Sequence, residues 1–299
     1  MDGHGIVTEN SYNDEGHVTR IVREDEPVTY RIGTRGSKLA MVQATLVRDR
    51  LAAACPMDHF ELVTIATKGD RITDRPLADL GGGAFVREIE RALLAREIDL
   101  AVHSMKDLPA EQPEGLCLAK AWTREDPRDV LVLRNREVRS VGDPLELLPI
   151  GATVATGSVR RSTFLRLRRP DLNIVDIRGN VDTRLRKLFE PRADEPPLEA
   201  IVLAAAGLKR LGRAEVISGY LDPGWMIPAP NQGQLAIELR VGDDSLKAKI
   251  DALGDEAAET VARAERDFLK STGATCHEAV AAYARFEDGE LKIESYYEG

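Results

Sequence analysis

The sequence predicts an α/β protein: two successive α/β units followed by a small α+β domain. Three observations carry this. Short β-branched and aliphatic runs alternate with amphipathic helical stretches, first up to about residue 122 and again from about residue 129. A Pro/Gly-rich passage and a further strand-like run, MIPAPNQGQLAIELR, follow the second series and lead back toward the first. Beyond residue 250 the pattern changes to one long helix and an alternating hairpin. The 299 residues suit two or three domains, and 43% hydrophobic with 30% charged residues fits a globular chain. With aromatics at only 5%, the core must be largely aliphatic.

The elements follow in order. Residues 1–27 are polar and rich in Gly, Asp and Glu, and they lack the apolar stretch of a secretion signal. They read as a flexible extension. VTYRIGT is the first strand, and the turn Arg35-Gly36-Ser37 leads into the helix LAMVQATLVRDRLAAA, with Leu39, Val42 and Leu46 at helical spacing and Ser37 as N-cap. ELVTIAT (61–67) is the second strand, followed by the polar loop KGDRITDRPLADLGGG. AFVREIERALLAREI is a helix with Phe85, Ile89 and Leu93 on one face. DLAVHS is a third strand and delivers HSMKDLP (103–109); LCLAKAW (116–122) is a fourth, in a largely parallel sheet.

After TREDPRD, the strands DVLVL, TVATGS, NIVDIRGN and AIVLAAAG alternate with the helices VRRSTFLRLRR and VDTRLRKL. DEAAETVARAERDFLKS is a clear helix, and AVAAYARFEDGELKIESYY is a hairpin turning at Asp288-Gly289. The expected division is 28–125 with 228–250, then 126–227, then 251–299.

Several function classes are disfavoured. A net charge of −9 opposes bulk nucleic-acid binding. No apolar run is long enough to span a membrane. Cys55, Cys117 and Cys276 show neither CxxC nor zinc spacing, so neither a disulfide framework nor a metal site is expected, and a reducing, cytoplasmic setting is.

The clearest anomaly is 160–187, where nine cationic side chains face three anionic ones. Arg166, Arg168 and Arg169 read as a solvated helix face. Arg160 and Arg161 instead open a helix after a strand, Arg178 ends a strand, and Arg184 lies in the first turn after Gly179-Asn180. In open α/β sheets such positions face the ligand crevice, and arginine suits planar binding of carboxylates or phosphates. Arg35 and Ser37 occupy an equivalent turn in the first unit. Lys106-Asp107 reads either as a surface ion pair or as a carboxylate working in this arginine-lined cleft. Cys276, in a loop of small residues beside His277, reads either as a small buried hydrophobe or as an exposed, activated thiol. Cys55, Cys117 and His103 read as structural.

RIGTRGSKLAMVQ, HSMKDLP, REDPRD, TGSVRR, RGNVDTRL, AAAGLKRL, PAPNQGQLAIE and a cysteine before AAYA occur in one order across about residues 29–290. This series resembles the porphobilinogen deaminase, or hydroxymethylbilane synthase, family. The resemblance implies two domains like those of type II periplasmic binding proteins around a cleft, plus a small C-terminal α+β domain. It implies a transferase of tetrapyrrole (haem) synthesis that joins four porphobilinogen molecules head to tail into linear hydroxymethylbilane, releasing ammonia at each step. It implies a dipyrromethane cofactor held through a thioether at Cys276. Asp107 would be the catalytic carboxylate, stabilising an azafulvene cation, with Lys106 beside it. Arg160, Arg161, Arg184, Ser158 and Lys106 would hold the cofactor, and Arg35, Ser37, Arg178, Arg210 and Gln43 the substrate. A cytoplasmic monomer without metal, nucleic acid or membrane partner is expected.

Three departures stand out. The loop Leu80–Phe85 is one residue short and lacks a lysine common in the family. Thr275, Ala279 and Ala281 replace the usual Gly, Pro and Gly around Cys276. The chain stops at Gly299 after one hairpin, where relatives usually continue. The competing readings are a non-catalytic receptor for an anionic ligand and a deaminase that loads its cofactor poorly.

Overall fold

The computed structural model describes residues 9–12, 18–22, 27–66, 86–135, 142–195, 197–274 and 278–298. Near the N-terminus, β1 (Glu9–Tyr12) pairs antiparallel with β2 (Val18–Val22). The sequence reading expects no elements there. Four β-branched residues, Val18, Thr19, Ile21 and Val22, favour a strand that the polar average of the segment conceals.

The first unit comprises β3 (Thr29–Thr34), α1 (Lys38–Ala54), β4 (His59–Thr64), α2 (Arg87–Leu94), β5 (Leu100–Ser104) and β6 (Leu116–Leu118). The second comprises β7 (Asp129–Leu133), β8 (Thr153–Ala155), α3 (Val159–Arg168), β9 (Asn173–Val175), α4 (Val181–Phe189), β10 (Ala200–Ala204), α5 (Ala205–Arg210) and β11 (Gly219–Tyr220). The chain then returns through β12 (Leu235–Arg240) to α6 (Asp244–Asp251), α7 (Glu256–Thr272) and the hairpin β13 (Ala279–Glu287) and β14 (Glu290–Glu298).

The sheets are ordered β4-β3-β5-β12-β6 and β11-β7-β10-β8-β9. In the first, β3, β4 and β5 run parallel while β12 runs antiparallel to β5 and β6. In the second, β8, β9 and β10 run parallel while β7 opposes β10 and β11. The sheets are therefore mixed rather than largely parallel, because β7 and β12, the strands that follow the two crossings, enter against their neighbours. These two α/β units with a separate C-terminal sheet have the expected fold class, type II periplasmic-binding-protein-like domains plus an α+β part.

Both faces of each central strand are buried, as helices on both sides of a sheet require. In β7, Leu131 and Leu133 pack with Phe164 and Leu165, while Val130 and Val132 pack with Leu203 and Leu208 on the other face. Ile32, Val47, Leu51 and Ile237 centre the first unit.

Two segments cross between the units, 123–128 and 227–234, and they are bonded to each other. Glu125 N–H donates to the Gly233 carbonyl at 3.2 Å, and Arg124 Nε to the Gln232 carbonyl at 2.8 Å. Gly233 has φ +91°, and a Cβ there would stand 2.2 Å from the Glu125 carbonyl oxygen. Only glycine allows this conformation and this approach. At the other end of the chain, the hairpin turns through Asp288 and Gly289 at φ +52° and +82°, the left-handed pair expected of a two-residue turn.

Candidate active site

Asp107 ends a single 3-10 turn, Met105–Asp107, that follows β5 directly. Its side chain is exposed, whereas Met105 and Leu108 on either side are buried and anchor the turn. Arg35 follows β3, the parallel neighbour of β5, so both leave the carboxyl end of the same sheet. Ser37 caps α1, accepting from Ala40 N–H at 3.3 Å. Gln43, fully buried in α1, donates through Nε2 to Ser104 Oγ at 2.9 Å and so braces the last residue of β5.

The second unit meets this turn with the N-termini of α3 and α4. Ser158 caps α3, with its Oγ 3.4 Å from Arg161 N–H. Arg160 and Arg161 are both buried, and both bind the buried carboxylate of Asp129. Arg160 Nη2 donates to Oδ2 at 2.7 Å and Arg161 Nε to Oδ1 at 3.0 Å. Arg160 Nη1 also reaches the Ile227 carbonyl at 2.6 Å, and Arg161 Nη1 the Val202 carbonyl at 3.0 Å.

Gln232, on the second crossing segment, joins the two units. Its Nε2 donates to Asp129 Oδ1 at 2.9 Å and to the Pro127 carbonyl at 2.7 Å, while its Oε1 accepts from Lys106 Nζ at 3.1 Å. Arg184 donates to the Gly179 carbonyl at 2.8 Å, and Arg178 to Asp176 at 2.7 Å. Arg210 stands apart from this group, bonding the Gly233 carbonyl at 2.6 Å.

The electrostatics reveal unbalanced positive charge. Burial, reinforced by Arg161, pushes the Lys106 ammonium down to about 8 against the opposing pull of Asp107 and Asp129. Arg184 is lowered to about 10 by burial and by Arg161 and Arg178, with Asp176 and Asp107 acting the other way. Burial also lowers Arg210 to about 10. Burial would raise the Asp129 carboxyl, but Arg160 and Arg161 hold it at about 2. Cations that depress one another in a partly desolvated cleft mark a site completed by anions.

The family model described as "Porphobilinogen deaminase, dipyromethane cofactor binding domain" matches residues 30–248. The chain belongs to the porphobilinogen deaminase family. Porphobilinogen deaminase of Lachnospira eligens is 53% identical over 266 residues, covering 88% of this chain and 87% of the relative. That of Syntrophus aciditrophicus is 48% identical over 264 residues, covering 88% and 83%. Among solved structures, the periplasmic VFT2 domain of Bordetella pertussis BvgS aligns at 16% identity with a TM-score of 0.40, covering 83% of this chain and 94% of that one.

The family's cofactor is dipyrromethane, and the donor set here fits it. Its acetate and propionate groups are carboxylates, which suit Lys106 and Arg184, whose bonds above go to an amide and a backbone carbonyl, with Arg161 beside them already held by Asp129. Arg160 is directed inward to Asp129 and Ile227, so it supports Arg161 from behind. Cys276 and the loop Leu80–Phe85 lie outside the described residues. Ala279 and Ala281 are buried in β13. Sequence reasoning passed over Asp129 and Gln232, although both lie inside motifs it quoted, REDPRD and PAPNQGQLAIE. Among the described residues no helix is long and apolar enough to cross a membrane, and no group of three His, Cys, Asp or Glu side chains could hold a metal ion.

Proposed function

We propose that this cleft carries out the family's condensation with Asp107 as its working carboxylate and Cys276 as the anchor of the cofactor. The enzyme is a transferase, a hydroxymethylbilane synthase: it joins four porphobilinogen molecules head to tail into linear hydroxymethylbilane and releases ammonia at each step. The observation that carries the assignment of roles is the lowering of both Lys106 and Arg184, by burial and by the neighbouring Arg161, around the exposed Asp107.

Porphobilinogen brings two carboxylates and an aminomethyl group. Lys106, Arg161 and Arg184 take carboxylates of the bound pyrroles, with Ser158 at the same helix start. Arg35, Ser37 and Arg178 take those of the incoming substrate, while Gln43 and Arg210 hold the turn and the crossing from which these groups project. Asp107 donates a proton to the leaving amine, the C–N bond breaks, and ammonia departs. The azafulvene cation that remains is stabilised by the Asp107 carboxylate. Dipyrromethane, when bound, supplies the pyrrole carbon from which the product grows. After C–C bond formation Asp107 accepts the proton lost from that carbon.

With this reading go the boundaries 28–125 with 228–250, 126–227 and 251–299, a monomer in the cytoplasm, and no nucleic-acid partner. Intact mass and turnover test it together. The protein should exceed its sequence mass by one dipyrromethane; Cys276→Ala should lose that mass. Asp107→Ala should keep it and lose roughly 10²–10³-fold in kcat. Bare sequence mass after incubation with porphobilinogen, or wild-type turnover by Asp107→Ala, would refute the assignment.

A further inference from the structure

Helix α7 links the two ends of the reaction proposed above. Its C-terminus closes at Gly273, left-handed at φ +61°, and Cys276 follows in the next few residues. Further back in the helix, Arg266 reaches the segment that leaves Asp107. Its Nη2 donates to the carbonyls of Pro109 at 2.9 Å and Ala110 at 2.7 Å, and to Gln112 Oε1 at 3.0 Å. One turn later Lys270 pairs with Glu111 at 2.6 Å. Ala262, one turn earlier, packs with Met105 and Leu108, which flank Lys106-Asp107. A groove of about 390 Å³ lies between α7 and 110–112. There the tie rests on these few polar bonds rather than on close packing.

We infer that Arg266 is a positioning residue that holds the Asp107 turn in register with the helix end leading to the cofactor's thiol. From Arg266 to Thr272 the helix rises about 9 Å as a rigid rod. Three acceptors on one Nη2 fix the chain just after Asp107 against that rod. Without them the turn keeps its anchors at Met105 and Leu108 but loses its reference to the attachment point. A shift of about 1 Å at a reacting group is enough to cost roughly 10²-fold in rate. This inference rests on the roles proposed for Asp107 and Cys276.

The test uses the full-length holoenzyme and the variants Arg266→Leu, Arg266→Lys, Asp107→Ala and the double Arg266→Leu/Asp107→Ala. Arg266→Leu should keep the dipyrromethane mass and a near-native Tm. Its kcat should fall roughly 10- to 100-fold with KM changed less than about twofold. Arg266→Lys should recover part of kcat, since an ammonium still donates to the carbonyls. In the Asp107→Ala background, Arg266→Leu should cost nothing further, because it acts through Asp107.

Wild-type kcat in Arg266→Leu, an equal loss in both backgrounds, or a kcat loss that tracks lost Tm or cofactor would overturn the inference. Should Arg266→Leu fail to fold, Arg266→Lys and Lys270→Ala decide: lowered kcat at native mass and Tm supports the tie, and unchanged kcat in both overturns it. Wild-type turnover in Asp107→Ala would sink the functional reading first. An inactive Asp107→Ala beside an unaffected Arg266→Leu would sink the positioning role alone.

Discussion

Replacing Glu265 by alanine should destabilise the protein well beyond the usual point mutation. Glu265 lies on the buried stripe of α7 with Ala258, Val261 and Ala262, and it is 0% exposed. Its carboxylate accepts from Arg124 Nη1 at 2.7 Å and Nη2 at 3.1 Å, from Asn231 N–H at 2.5 Å and from Ala284 N–H at 2.7 Å. It therefore joins both crossing segments to β13. Removing one partner of a buried ion pair costs roughly 3–5 kcal/mol, and each orphaned buried N–H adds about 1–3 kcal/mol. Water entering the vacated space re-satisfies some of these groups and keeps the total near ~5 kcal/mol.

An unfolding entropy of about 2.1 cal/mol/K per residue over 299 residues gives ~0.6 kcal/mol/K, so Tm should fall by ~8 °C. Burial pushes the Glu265 carboxyl above its ordinary value despite Arg124. The pair is thus costly to keep as well as to break, and Arg124→Met/Glu265→Leu should regain more than half of the lost Tm. Thermal unfolding followed by circular dichroism reads both. A fall below about 2 °C for Glu265→Ala, or a double variant no better than the single, would refute this account of the crossing.

Three further outcomes follow from the site and the crossing. Because the Lys106 ammonium sits at about 8, it is charged below that pH and neutral above. KM for porphobilinogen should therefore rise as pH passes through about 8, and Lys106→Arg, charged throughout, should flatten that rise; a wild-type KM that stays flat would contradict it. Gly233→Ala meets the Glu125 carbonyl at 2.2 Å with φ +91°. It should cost roughly 2–5 kcal/mol, read as a lower denaturant midpoint, and an unchanged midpoint would show that the crossing can shift. Asp129→Asn strands two buried guanidiniums and should cost roughly 3–5 kcal/mol, with a smaller fraction of protein carrying the cofactor by intact mass; full loading at native stability would count against Asp129 as the support of Arg161.

What could be read from the chain and what could not divide along a physical line. Strand ends and helix starts announce themselves locally: Ser37 caps its helix where periodicity and capping put it, and the Lys106-Asp107 turn follows directly on the strand read from DLAVHS. The partners that tune them come from far along the chain. Asp129 meets Arg160 from 31 positions away and Gln232 from 103, and Glu265 meets Arg124 across 141. No local rule fixes such pairs, because each depends on two chain crossings returning to the same place.

Yet a trace was present. Glu265 falls on the i, i+3, i+4, i+7 stripe of Ala258, Val261 and Ala262, and Glu238 sits inside LAIELR, whose residues are buried throughout. A carboxylate placed where periodicity demands an apolar residue must find a cation or a donor. Glu265 found Arg124, while Glu238 lies 3.3 Å from His103 Nε2 without a hydrogen bond to it. The same inconsistency holds for Asp129, at the head of the fully buried DVLVL. Each of these three acids is an exception to its own element's pattern, and each marks a join: between the two units at Asp129, between the crossing and the hairpin at Glu265, and between β12 and β5 at Glu238. In a fold whose cleft lies between separately built sheets, the pattern-breaking acids locate the contacts that aim the catalytic groups.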